Sequence, residues 1–258
     1  MAVVPHGWRD NMDKINVEII DHSDRTVDFV VRGLTPAMAN GIRRAMLIDV
    51  PTLSIDTLRM VENTSVLFDE MIGHRLSLVP LTTPPGEFEP TDVVTLTLDV
   101  QGPATVYSGD IISSEKLVQP ADKRIPIVDL KENQRLAFEA DAIIGTGLTH
   151  AKFQGGVAIG YSYLQSVTVN GNLKKGDSKT PLIVHGAVED SGKIIPTSDF
   201  GHNLSNKYPN KKIEINDVPN TFVFHVETDG SMSSDELITS SVQSLCNRAG
   251  ALGEGISI

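Results

Sequence analysis

The residues of this chain that could do chemistry are few and scattered. The stretch THAKFQGGVAIGY at 149–161 gathers most of them: His150, Lys152, Gly155, Gly156 and Gly160. A phosphate loop needs a Gly-Lys-Ser/Thr after its glycines, so that backbone N–H groups and a lysine converge on the phosphates. None follows here. A dinucleotide site needs GxGxxG between a strand and a helix, and that context is missing too. His74 lies in DEMIGHRLSL (69–78) and His225 in TFVFHVET (221–228), each without a companion. A lone imidazole in such a setting reads as a surface or hydrogen-bonded histidine rather than a ligand. Cys246 is the only cysteine, which excludes an internal disulfide and any Cys-rich zinc or iron–sulfur site. HExxH, Gly-x-Ser-x-Gly and Walker motifs are absent from the sequence. Arg43 and Arg44 sit side by side and point away from the middle of the apolar face of their helix. No catalytic residue, metal ligand or cofactor is assigned.

Composition narrows the class further. The 258 residues allow one large domain or two modest ones, with enough apolar content for a core. The net charge of −11 argues against a protein that binds nucleic acid by itself. Lys174-Lys175 and Lys211-Lys212 are isolated pairs in turn-rich sequence. No apolar run approaches the roughly 20 residues of a membrane span. The N-terminal MAVVPHGWRD has no signal-peptide core, so a cytoplasmic protein is expected.

The elements that position these residues can be read in order. Residues 1–13 form a loose arm. Ile15, Val17 and Ile19 alternate, as do Val27, Phe29 and Val31, predicting a hairpin with one buried face. TPAMANGIRRAMLIDVP (35–51) predicts a helix, with Thr35 as its cap, Pro36 at its first position and Pro51 as its stop. Met38, Ile42, Ala45 and Met46 line one face of it. Gly41, with Ala37 and Ala39, suggests close approach of another backbone. A strand with an irregular end (52–65), a short helix (69–78), a loop (83–90) and a strand (92–100) follow. Residues 105–111 begin as a strand, and 125–147 read as strand, turn, strand. Residues 167–217 are rich in Gly, Asn, Lys, Ser and Asp and read as a small module with hairpins. The alternating 221–228 is a strand. Ser233 and Glu236 form a capping box for the last helix. There Ile238, Val242, Leu245, Ala249 and Leu252 make a heptad stripe, and Gly250, Gly253 and Gly255 are expected to let the end fray.

The motifs carry a resemblance. RGLTPAMANGIRRAMLIDVPTLSIDT (32–57) and FDEMIGHRLSLVPLTT (68–83) resemble the family of archaeal DNA-directed RNA polymerase D subunits. That family is the counterpart of the bacterial alpha N-terminal domain and of the third-largest subunit of eukaryotic RNA polymerase II. Asn40, Gly41, Arg43 and Arg44 match the bacterial helix, Gly109-Asp110 stands where a Gly-Asp or Ala-Asp pair falls, and His150, Ala151, Lys152 and Phe153 match a His-Ala-Lys-aromatic motif.

The resemblance implies an α+β subunit. A discontinuous dimerisation domain (1–51 and 218–258) would carry an inserted, mostly β platform (52–166) and an appended module (167–217). In some relatives that last place holds a ferredoxin-like insert with iron–sulfur clusters, and no cysteine lies there in this chain. The resemblance further implies a non-catalytic assembly subunit that pairs with subunit L and recruits subunits N and P and the second-largest subunit. The dimer interface would take Met38, Ile42, Ala45, Met46, Ile238, Val242, Leu245 and Ala249. The large-subunit interface would take Arg43, Arg44, His150, Ala151, Lys152 and Phe153. The clustered aspartates of a polymerase catalytic centre are missing, and direct DNA binding is not expected. Two other readings stay open: a homodimeric structural protein, and a small-molecule enzyme using His74, His150 or His225.

Overall fold

A computed structural model describes residues 15–169, 187–190, 193–196 and 213–256. The fold is mixed α and β, with helix and strand elements at both ends of the chain and β-rich sequence between. The expected arm and both Lys pairs lie outside the described residues. The chain divides into two compact units, Met1–Arg43 with Ile159–Val226, and Arg44–Ala158 with Glu227–Ile258.

The first unit is built on a six-stranded sheet in the order β1-β2-β12-β9-β10-β11. Its strands are β1 (Asn16–His22), β2 (Thr26–Arg32), β9 (Gly156–Val169), β10 (Ala187–Asp190), β11 (Lys193–Pro196) and β12 (Ile213–Thr228). The predicted hairpin forms, with Val17 opposite Val31 and Ile19 opposite Phe29. Its buried face is one strand wide, which corrects the expectation for β1. Val27, Phe29 and Val31 are buried, whereas Ile15, Val17 and Ile19 on the edge strand are exposed. The last strand begins eight residues before the expected start. Phe29 stacks on Phe224 with centroids 5.1 Å apart, and Tyr161 meets Phe222 edge-on at 5.5 Å. Val30, Leu164 and Val223 pack on the opposite face. Of the predicted module, β10 and β11 form an antiparallel hairpin, and β10 runs parallel to β9.

The second unit centres on a four-stranded sheet, β3-β8-β4-β6, and a two-stranded one, β5-β7. The strands are β3 (Pro51–Asn63), β4 (Val93–Gln101), β5 (Ala104–Tyr107), β6 (Ile112–Ser113), β7 (Pro126–Leu130) and β8 (Arg135–Thr146). The irregularity expected in β3 is real, with register shifts at Ile55/Thr57 and Met60/Glu62. Helix α2 (Asp69–Ser77) buries Ile72 and Leu76 in a core that includes Leu96, Leu136 and Phe138. Helix α3 (Ser234–Ile256) follows a turn at Gly230, whose φ of 93° favours glycine.

The other face of the four-stranded sheet carries charge. The Arg135 guanidinium on β8 reaches Asp99 on β4 at 2.7 Å and Glu62 on β3 at 2.8 Å. Arg59 on β3 pairs with Asp141 and, at 3.5 Å, with Glu139. Hydrogen bonding from Arg135 holds the Asp99 carboxyl below its usual range, and Arg59 does the same for Asp141. Their stabilisation is therefore complete above the unfolded carboxylate value of roughly 3.9. It is lost as pH falls through the lowered folded values. We expect Arg135→Gln to move the Asp99 midpoint back up toward the ordinary range, read by NMR titration of the carboxyl carbon.

Candidate functional site

Helix α1 (Pro36–Ile48) forms as the sequence dictates. The Thr35 hydroxyl accepts the Met38 N–H at 3.3 Å, and the helix stops short of Pro51. Its faces divide the predicted interface residues. Met38 is exposed and Ile42 half-buried, but Ala45 and Met46 are buried inside the chain, as is Ala39. Ala45 and Met46 are thus core residues here, because the C-terminal half of the helix packs more deeply than its start. Among the described residues no atom comes within 4 Å of a Cβ built on Gly41, so none of them makes the expected close approach. Arg43 is braced along its own helix, donating to Asn40 Oδ1 at 3.0 Å. Arg44 is exposed and has no hydrogen-bond or ion-pair partner among the described residues.

Behind α1 sits the turn that carries the His-Ala-Lys-Phe motif. Leu148 N–H donates to the Ile48 carbonyl at 3.1 Å, docking residues 147–150 on the end of α1. Gly147 permits it: a Cβ there would lie 2.2 Å from the Leu47 carbonyl oxygen. His150 then caps a single 3₁₀ turn, Ala151–Phe153, its Nδ1 accepting the Lys152 N–H at 3.1 Å. Lys152 turns inward. Its side chain is 10% exposed, and its Nζ donates to Asp56 Oδ1 at 2.7 Å and to the Ile55 carbonyl at 3.1 Å. Phe153 is buried against Gly145, where no Cβ would fit. Of the four motif residues only His150 and Ala151 are exposed, and the inward Lys152 and Phe153 hold the turn. Leu148, two residues before His150, is an exposed apolar side chain that the sequence reading did not single out.

The start of α3 is firmly held. Asp229 N–H donates to the Gly155 carbonyl at 3.0 Å, and Thr83 N–H to the Ser231 carbonyl at 2.7 Å. Ser233 N–H and Oγ both donate to Glu236 Oε2, completing the predicted capping box. Ser234, Leu237 and Ser241 are buried. Along the rest of the helix burial thins among the described residues. Ile238 and Leu245 are half-buried, Val242 and Ala249 are exposed, and Leu252 is 65% exposed. The helix runs through Gly250, Gly253 and Gly255 to Ile256. Arg248 reaches Asp49, beyond the end of α1, at 2.8 Å.

The three histidines have separate local roles. His74 is exposed on α2, His150 is bound to its own turn, and His225 Nδ1 lies 2.6 Å from Asp28 Oδ1. Among the described residues no three His, Cys, Asp or Glu side chains gather as a metal site would require, and no helix is long and apolar enough to cross a membrane.

Comparison with known proteins matches residues 28–249 to the RNA polymerase Rpb3/Rpb11 dimerisation domain. The chain is 53% identical to DNA-directed RNA polymerase subunit Rpo3 of Natronomonas pharaonis, over 95% of this chain and 99% of that one. It is 52% identical to the Rpo3 of Halobacterium salinarum, over 94% and 98%. The Rpo3 of Pyrococcus furiosus is 37% identical over 92% and 95%. The chain belongs to the Rpb3/Rpb11 dimerisation family. The family match takes in all of α1, the docked turn and most of α3, including the apolar stripe up to Ala249. For this member of the Rpb3/Rpb11 family, Gly147→Ala is the sharpest probe of the turn. The added methyl meets backbone, so the loop must leave the end of α1. We expect faster hydrogen exchange at Leu148 and Phe153, with the core around Phe138 unchanged.

Proposed function

We propose that the chain is a non-catalytic assembly subunit of an archaeal DNA-directed RNA polymerase, pairing through α1 and α3 with subunit L. The observation that carries this reading is the uncovered apolar stripe of α3 in a chain of a dimerisation family. Covering it would contribute about 25 cal/mol per Å² of apolar surface. The pairing residues are Met38 and Ile42 on α1 and Ile238, Val242, Leu245 and Ala249 on α3, while Ala45 and Met46 support α1 from within. Residues 1–51 and 218–258 make the dimerisation part, 52–166 the platform and 167–217 the appended module. The pair then recruits subunits N and P and the second-largest subunit. Arg44, Leu148, His150 and Ala151 face that large subunit, with Arg43 bracing α1 and Lys152 and Phe153 fixing the turn. The chain works in the cytoplasm, and its part in nucleotidyl transfer is structural, with no cofactor of its own.

The same stripe fits a homodimer, and size by light scattering separates the two. We expect a one-to-one complex when the chain is expressed with subunit L of its own source, and self-association or poor solubility alone. A stable homodimer indifferent to subunit L would sink the proposal. Val242→Asp puts a charge into the pairing surface and should weaken pairing by at least about 2 kcal/mol. Arg44→Ala should leave the pair intact and lower recovery of the second-largest subunit in a reconstitution, and normal assembly would remove Arg44 from the interface.

A further inference from the structure

The loop between β3 and α2 holds apolar side chains out in water, on elements other than those that pair. Val66 is 79% exposed, Phe68 is 77% exposed, and Met71 on the first turn of α2 is exposed as well. Single exposed apolar residues are ordinary, but three within six positions form a patch. The loop is not slack. Asn63 Nδ2 donates to the Leu67 carbonyl at 2.9 Å and to Asp69 Oδ1 at 2.7 Å. Asn63 Oδ1 accepts from the Ser65 N–H at 3.0 Å and hydroxyl at 2.7 Å. Thr64 N–H donates to the Arg135 carbonyl, and the Thr64 hydroxyl accepts the Arg135 N–H, so the loop is clamped to β8. Leu67, between the two exposed residues, packs on the core. The patch is therefore preformed, which lowers the ordering cost of binding.

Position 68 makes the point again. Phe68 occupies the N-cap of α2 and gives it no side-chain hydrogen bond. Asp or Ser there would stabilise the helix. The chain forgoes that cap and keeps an aromatic ring in water, an arrangement that gains only when the ring is covered.

The charges around the patch indicate what covers it. Asp69 and Glu70 follow Phe68 directly, and Glu70 has no partner among the described residues. The nearby cations are engaged within the chain: Arg135 by Asp99 and Glu62, and Arg75 by the Pro126 carbonyl at 2.6 Å. We propose that Val66, Phe68 and Met71 form a knob that docks into an apolar pocket rimmed by Lys or Arg on a second polymerase subunit, different from the one that covers α3. This rests on the assembly reading above.

The test uses the assembled complex. Tagged chains carrying Val66→Asp with Phe68→Asp, or Asp69→Lys with Glu70→Lys, are expressed in cells of the chain's own source. The polymerase is purified and its subunits are quantified by mass spectrometry against the tagged chain. Subunit L should stay at one to one in both variants, while at least one other subunit falls by about tenfold or more in the first and several-fold in the second. The Phe68→Asp chain, paired with subunit L, should melt no lower than wild type, because it gains a cap. Wild-type ratios in both variants would overturn the knob alone. A wild-type chain that brings down no polymerase subunit would overturn the assembly reading and the knob with it. A lowered melting temperature accompanying the loss would assign these side chains to folding. Self-association of the wild-type pair that Phe68→Asp abolishes would make the occupant a second copy. Either of these last two results overturns the proposal.

Discussion

Burial of α3 is the constraint on which the rest of the chain turns. In proteins most helical stability comes from packing an amphipathic face rather than from propensity. Helix α3 has 23 residues, and its burial among the described residues is concentrated in its first turns, at Ser234, Leu237 and Ser241. Past Leu245 its described residues are exposed, and Arg248 pairs with Asp49. Three glycines in that stretch each cost roughly 1 kcal/mol against Ala. A helix so composed leaves its apolar stripe uncovered over most of its length, and the cap at Ser233 and the anchored turn at Asp229–Ser231 fix where it starts.

Much of this was legible in the sequence because the signals are local. Thr35, Pro36 and Pro51 bound α1 by steric rules that hold in any surroundings. The Ser233–Glu236 box and the alternation in 92–100 and 221–228 act over a few residues in the same way. What could not be read depends on distant partners. The alternation of Ile15, Val17 and Ile19 marks a strand, but not whether that strand stands at an edge. Met38, Ile42, Ala45 and Met46 share a stripe, yet the stripe cannot say that its C-terminal members belong to the core. Lys152 and Phe153 read as members of an exposed motif. Their inward turn depends on Asp56, Ile55 and Gly145, and the first two lie remote in sequence.

The site therefore has two layers. Arg44, Leu148, His150 and Ala151 lie at the surface, while Asn40, Gly147, Lys152 and Phe153 hold the helix and the turn in place. The buried lysine is the telling member. An ammonium taken out of water is costly unless it is well paired, and Lys152 has both a carboxylate and a carbonyl. A side chain so satisfied acts as a rivet between β3 and the turn.

The charged face of the four-stranded sheet also records its register. Arg135 sits opposite Gln101 in the β4–β8 ladder, and Arg59 sits opposite Glu139 in the β3–β8 ladder. A one-residue slip turns every side chain to the other face. Here it would bring apolar residues into water and also strand Glu62, Asp99, Glu139 and Asp141 without their arginines. The two faces thus spell the same alignment in independent alphabets, one of shape and one of sign. In an acidic chain the second matters twice over, since the arginines also keep neighbouring strands from repelling each other. A reader of either face alone could rebuild the sheet.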